Sequence, residues 1–114
     1  MKNKESVNLL DLIPVQNVDS TTNDENLIVL LKPKLKNRYL KKYVLSKMKS
    51  PNYKINLDDF GTSVWKSING RNTVAEIGDK LRSEFGEKIE PVYERLSLFI
   101  KILEKNKLIT YRSQ

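Results

Sequence analysis

Residues Lys54–Leu81 read KINLDDFGTSVWKSINGRNTVAEIGDKL, and this stretch decides the fold of the chain. Apolar and polar residues alternate over Tyr53–Leu57, which is typical of a strand with one buried face. Asp58 or Asp59 follows, and a carboxylate at this position can accept hydrogen bonds from the free N–H groups of a helix start. The stretch therefore predicts a strand that leads directly into a helix.

Two helices and the turn between them complete the stretch. Their predicted apolar stripes are Phe60, Val64, Trp65 and Ile68 in the first helix, and Val74, Ile77 and Leu81 in the second. Gly70, in an Asn-Gly pair, supplies the left-handed residue that closes the first helix. Thr73 and Glu76 have the spacing of a capping box, which starts the second helix. Trp65 lies within its stripe and is expected in the core.

A third helix is predicted downstream, where Glu90 and Pro91 open a segment that runs to about Asn106. Its predicted core stripe is Val92, Leu96, Phe99 and Leu103. Leu98 and Ile102 lie one turn apart on the flank of this stripe. They could be covered by another element, or they could form one wall of a groove.

The remaining segments complete a mixed fold. Residues 1–11 are polar and are predicted to be a flexible N-terminal arm. Leu12–Val18 and Leu27–Lys32 are predicted to pair as a β-hairpin around the turn-forming cluster DSTTNDEN, and residues 107–111 to form a short strand. We therefore expect a single α+β domain over residues 12–114. It resembles a winged helix-turn-helix, with about three antiparallel strands followed by three helices.

A basic segment interrupts this pattern at residues 33–52. Between Lys32 and Lys54 there are nine basic residues and no acidic ones, whereas elsewhere twelve basic residues face fourteen acidic ones. Apolar residues recur at helical spacing and predict a basic amphipathic helix over about Asn37–Met48. This segment could be a solvated face, a docking surface for an acidic protein or peptide, or a nucleic-acid or membrane surface.

Composition argues against an enzyme. The 114 residues include neither cysteine nor histidine, which removes thiol nucleophiles, thiolate ligands, the usual general base and the commonest metal ligand. Asp58 and Asp59 are adjacent and point in different directions, so they do not form a catalytic pair. We expect no cofactor and no metal. The longest aliphatic run, Leu27–Leu31, is too short to span a membrane, and we expect a cytoplasmic protein.

One set of positions carries a family resemblance. These positions are Leu57, Asp58, Gly61, Val64, Trp65, Asn69, Gly70, Thr73, Val74, Glu76 and Ile77, and the match continues at Leu98–Leu103 and Leu108–Ile109. The pattern resembles the coenzyme PQQ synthesis protein D (PqqD) family. The resemblance implies a non-catalytic peptide chaperone. Such a domain recognises the leader segment of a ribosomally made precursor peptide and presents it to a modifying enzyme, often a radical SAM protein.

The resemblance also implies a binding site, because in that family the leader adds as a strand to the third strand and lies against the third helix. The candidate residues are Tyr53, Lys54, Ile55, Asn56 and Leu57 from the strand, with Arg95, Leu98 and Ile102 from the helix. Asp58, Gly61, Trp65, Gly70, Thr73 and Glu76 are expected to be structural. The basic segment is a departure shared with an insert-bearing subgroup, and its predicted helix could cover the strand edge.

A winged-helix protein that binds nucleic acid or acts in transcription is the alternative. Recognition helices usually present Arg, Lys, Asn or Gln to base edges. The predicted outer arc of the third helix instead carries three glutamates against two lysines, which suits a polyanion poorly. The sequence therefore favours peptide over nucleic acid, and it is compatible with a monomer or a dimer.

Overall fold

The computed structural model describes residues 8–33 and 52–112. The strands are β1 (Pro14–Gln16), β2 (Asp19–Thr22), β3 (Ile28–Pro33), β4 (Asn52–Asn56) and β5 (Ile109–Tyr111), and the helices are α1 (Asp59–Ser67), α2 (Val74–Phe85) and α3 (Val92–Lys105). Short 3-10 helices span Leu9–Asp11 and Gly86–Ile89. The predicted α+β class is confirmed: small antiparallel sheets accompany three helices in a winged-helix-like order.

A three-stranded antiparallel sheet has the order β2-β3-β4. Ile28 and Leu30 alternate along β3 and contribute to the core, because successive side chains of a strand point to opposite faces. Ile55 pairs with Leu30, so the two side chains share the core face. Leu57 directly follows β4 and is buried, which agrees with the predicted alternation.

The predicted N-terminal hairpin was wrong in one strand. The partner of β3 is β2, which lies inside the segment that was assigned to the turn, and the turn itself is confined to Asn23–Leu27. There the Asn23 side chain accepts hydrogen bonds from the N–H groups of Glu25 and Leu27, and Asn26 is left-handed with φ 65°. The four residues of β2 are Asp, Ser, Thr and Thr, and all of them are exposed. A strand made only of polar residues has no alternation of apolar and polar positions from which it could be predicted.

β1 pairs instead with the C-terminal strand. Val15 lies opposite Thr110 in a two-stranded antiparallel sheet with β5. The N–H of Val74 also donates to the carbonyl of Leu12, which ties the start of α2 to the segment before β1. The first and last strands of the described chain therefore pair with each other.

The helix caps follow the sequence signals. Asp58 Oδ1 accepts a 2.8 Å hydrogen bond from the Gly61 N–H, and Thr73 and Glu76 form both hydrogen bonds of the capping box. Gly70 has φ +78° in the turn after α1, and Gly86 has φ +67° at the end of α2. Helix α3 starts at Val92, with Pro91 at the N-cap, one residue later than predicted.

The core lies between the three-stranded sheet and the helices. Trp65 is 1% exposed and is among the largest of its buried side chains, as predicted. In α3 the buried residues are Val92, Leu96, Ile100 and Leu103. Phe99 was predicted to be core but is only half-buried, because the buried stripe is centred nearer Ile100 and leaves Phe99 on its flank.

The predicted arm and insert fall largely outside the described residues. Of the arm, Leu9–Asp11 form one turn of 3-10 helix, and Leu9 and Leu10 pack against the core. The predicted basic helix, residues 37–48, lies outside the described ranges. This segment lies in the connection from β3 to β4. Pro33, the last residue of β3, pairs with Asn52, the first residue of β4.

Helices α2 and α3 meet closely at Gly78. A Cβ added at Gly78 would lie 2.5 Å from Tyr93 Cε1, a separation that real Cβ atoms do not show. The Tyr93 ring is held there because its hydroxyl donates to Asp79 and because the Arg82 guanidinium lies 5.0 Å from the ring centroid. The hydrogen bond to Asp79 also raises the pKa of Tyr93.

We predict that Gly78→Ala lowers the free energy of unfolding by about 1–2 kcal/mol, because the added methyl group displaces the Tyr93 ring. Helix propensity alone predicts the opposite sign, a gain of about 1 kcal/mol. Urea unfolding measures the difference. In a Tyr93→Ala background the same substitution should become neutral or stabilising, and destabilisation of equal size in both backgrounds would contradict the contact.

Candidate functional site

Strand β4 lies at an edge of the three-stranded sheet, since among the described strands it pairs with β3 alone. Tyr53 and Ile55 share the face of the sheet that carries the core, whereas Lys54 and Asn56 face the other side. Ile55 is half-buried, and Tyr53 is 56% exposed. The strand therefore extends the apolar face outward from the core toward solvent.

The end of β4 meets α3 at Gly61, in the first turn of α1. A Cβ added at Gly61 would lie 3.2 Å from both Leu57 Cβ and Phe99 Cζ. Gly61 is buried, and its N–H is held by Asp58. The absence of a side chain thus lets residues from the strand end and from α3 approach each other across one backbone position.

Two phenylalanines connect this junction to the surface of α3. The rings of Phe60 and Phe99 pack edge-to-face with centroids 6.0 Å apart, and both residues are half-buried. The guanidinium carbon of Arg95 lies 4.7 Å from the centroid of the Phe60 ring. Arg95 is exposed, so one side of its guanidinium faces an aromatic ring while its N–H groups remain accessible.

Helix α3 presents spare apolar surface beside this cluster. Leu98 is 63% exposed and Ile102 is 48% exposed, and they follow Arg95 by three and seven residues. These spacings place all three on one face of the helix, next to Phe99. Among the described residues, the large apolar side chains that stand exposed are Tyr53, Leu98 and Ile102.

The candidate residues form two groups, and Leu57 of the first group lies against Gly61, as does Phe99 of α3. The strand group lies at the sheet edge and the helix group lies on α3. Phe60 and Phe99 are additions that the sequence analysis assigned to buried stripes rather than to the site. Each of the two lies at the border of its apolar stripe, and a residue at such a border can contact both the core and the surface. This position could have identified them as candidate site residues.

Other polar clusters lie apart from this surface. Arg82 and Glu90 form a 2.9 Å ion pair between α2 and the loop before α3. The pKa of Glu90 is lowered, first by the hydrogen bond that its carboxylate accepts from the Val92 N–H and second by the hydrogen bond from Arg82. Burial and the hydrogen bond to Glu104 raise the pKa of Tyr111. These contacts join structural elements to one another, and none of them involves β4, Arg95, Leu98 or Ile102.

A separate pocket of about 350 Å³ lies between the turn of the β2–β3 hairpin, the start of α1 and the end of α2. Its carboxylates are Glu25, Asp59 and Glu84, and Ser63 donates a 3.0 Å hydrogen bond to Glu84. The sequence does not indicate this pocket, because the residues that line it are distant along the chain. Within residues 8–33 and 52–112, no three Asp or Glu side chains, those of this pocket included, are arranged so that they could hold a metal ion.

Comparison with known proteins agrees with this architecture. The model of the coenzyme PQQ synthesis protein D (PqqD) family matches residues 42–109, which is more than half of the chain. The chain belongs to the PqqD family. No curated protein and no solved structure matched the chain.

The PqqD match covers the elements that build the candidate site. It includes β4, all three helices and the first residue of β5, and its first ten residues lie outside the described ranges. The β2–β3 hairpin precedes the match. Each helix in the described part of the chain is too short or too polar to cross a membrane.

We predict that Gly61→Val separates Leu57 from Phe99 and lowers the free energy of unfolding by roughly 2 kcal/mol, because overpacking forces neighbouring side chains to move. Lys66→Val is the matched control, since Lys66 is exposed on the same helix and loses only helix propensity, below about 1 kcal/mol. Urea unfolding of both variants measures the contrast. Equal effects would contradict a tight contact at Gly61.

Proposed function

We propose that this PqqD-family chain is a peptide chaperone. It binds the leader segment of a precursor peptide as an added strand on β4 and presents it to a modifying enzyme, such as a radical SAM protein. The observation that carries the proposal is the presence of exposed large apolar side chains on both β4 and α3, namely Tyr53, Leu98 and Ile102. In this proposal the chain acts in the cytoplasm, as a monomer or a dimer, without catalysis or a cofactor.

Strand addition supplies affinity that depends little on sequence. An edge strand can pair its outward N–H and C=O groups with an incoming peptide backbone. The strand segment is Tyr53–Leu57, and Lys54 and Asn56 are both exposed. Because a peptide strand also projects alternate side chains to opposite faces, half of its side chains would point toward the helices.

The exposed face of α3 supplies specificity. Covering one exposed leucine or isoleucine side chain stabilises a complex by up to about 1.5–3 kcal/mol. Leu98 and Ile102 offer two such side chains one turn apart, and Phe60 and Phe99 lie at the base of the same face. Apolar leader side chains at alternate positions fit this surface.

The nucleic-acid alternative has less support in the same residues. Helix α3 exposes Glu94 and Glu104 to solvent, and Glu104 accepts a hydrogen bond from the Tyr111 hydroxyl. Carboxylates on this helix would repel a phosphate backbone. A gel shift with duplex DNA at low salt should therefore show no complex that depends on α3.

We predict that Ile102→Gln weakens binding of a synthetic leader segment by about tenfold, because it removes roughly 1.4 kcal/mol of apolar burial. The probe is the leader segment of the precursor peptide whose gene lies nearest to the gene for this chain. Calorimetric titration measures its dissociation constant. Leu98→Gln should act similarly.

Glu104→Gln is the matched control, since it introduces the same residue at an exposed position about 160° around α3 from Ile102. It should leave the dissociation constant within about twofold of the wild-type value, as expected for an exposed position outside the contact. Equal loss in the control, or no loss in Ile102→Gln, would contradict the proposed surface.

A further inference from the structure

We infer that Arg95 makes the site selective for a peptide strand that carries a carboxylate beside its apolar residues. This inference rests on the proposed function and adds the charge of the ligand to it. Affinity through backbone pairing and apolar contact requires no acidic residue. The inference therefore concerns one position of the peptide and one side chain of α3.

The surroundings of Arg95 are unusual for an arginine at a helix surface. Its guanidinium contacts the Phe60 ring, at 4.7 Å, but within residues 8–33 and 52–112 no carboxylate lies within ion-pair distance of it. By contrast, Arg82 contacts an aromatic ring and is also paired with Glu90. Arg95 thus has an aromatic support and no anionic partner in the described part of the chain.

The two carboxylates that directly precede Phe60 in the sequence have other environments. Asp58 accepts the hydrogen bond that caps α1, and Asp59 lines the separate pocket at the β2–β3 turn. The positions three and four residues from Arg95 are Pro91, Val92, Leu98 and Phe99, and none of them is acidic. The guanidinium is therefore not neutralised by an intrahelical pair.

Arginine is suited to this role by its geometry. Its guanidinium is planar and presents a fork of N–H donors that matches a carboxylate. The Phe60 ring lies against the Arg95 guanidinium, and Arg95 is exposed. A carboxylate of a bound peptide would interact more strongly than one at an open surface, because the peptide strand that covers Leu98 would exclude water and lower the local dielectric.

The spacing on α3 is close to that of a strand for the step from Ile102 to Leu98, and the long Arg95 side chain can span the difference at the shorter second step. Ile102, Leu98 and Arg95 succeed one another by about 6 Å and about 4.5 Å along the helix axis. Side chains on one face of a strand repeat every 6–7 Å or so. For a strand that runs along α3, two apolar residues at alternate positions, followed by Asp or Glu at the next alternate position, meet these three side chains in order.

The net charge of the chain favours the same ligand. It is +7, and the basic residues are concentrated between Lys32 and Lys54, which both belong to strands of this sheet. A positive field attracts an anionic peptide over distances comparable with the Debye length. The acidic residue would thus assist both encounter and binding.

Selection from a displayed library of random twelve-residue peptides tests the inference on the full chain. The wild type should enrich peptides with two apolar residues at alternate positions and Asp or Glu two positions further on. Arg95→Gln should enrich the same apolar pattern without the acidic residue. Apolar enrichment without an acid in the wild type would overturn the inference and leave the proposed function standing. No enrichment of any peptide would overturn both.

A double-mutant cycle separates charge recognition from a structural role of Arg95. The most enriched peptide is titrated against the wild type alongside a version in which its acidic residue is replaced by the corresponding amide. The amide should bind about fivefold more weakly to the wild type, as expected for loss of a charge-assisted pair, and equally well to Arg95→Gln. Lys101→Gln, which removes an equal charge from the same helix, should preserve the fivefold difference. A difference that persists in Arg95→Gln would refute the inference.

Discussion

The close approach of Leu57 and Phe99 across Gly61 is the contact on which the rest of the site depends. It joins the end of an edge strand to the middle of α3 at the first turn of α1. Because protein interiors are close-packed, a side chain at this position would force the strand end and the helix apart. The Phe60–Phe99 pair and the Arg95 contact extend the junction to the surface.

Much of the fold was predictable, because local signals and tertiary packing agree over β4, α1 and α2. The caps at Asp58 and Thr73 are satisfied within a few residues, so the local sequence is sufficient to predict them. The pairing of β1 with β5 was not predictable in this way, since the two strands lie at opposite ends of the chain. Strand β2 was missed because an exposed polar edge strand carries no apolar period.

The candidate site was predictable to a different extent. Leu98 and Ile102 were identified as spare apolar residues on the flank of a helical stripe, and both are exposed. The stripe itself was misplaced by one residue at Phe99, because a repeat of three and four residues leaves either Phe99 or Ile100 facing the core. The structure has Ile100 in the core and Phe99 packed edge-to-face on Phe60, a contact that depends on the three-dimensional placement of α1.

The central claim is that a peptide pairs with β4 as an added strand. Amide hydrogen exchange, followed residue by residue in the isotope-labelled protein, tests it most directly. Exchange is compared with and without a saturating leader peptide. We predict slower exchange for the amides of Lys54–Asn56, while those of Asp19–Thr22 at the opposite sheet edge remain unchanged. Unchanged exchange in β4 with the peptide bound, or protection confined to β2, would contradict it.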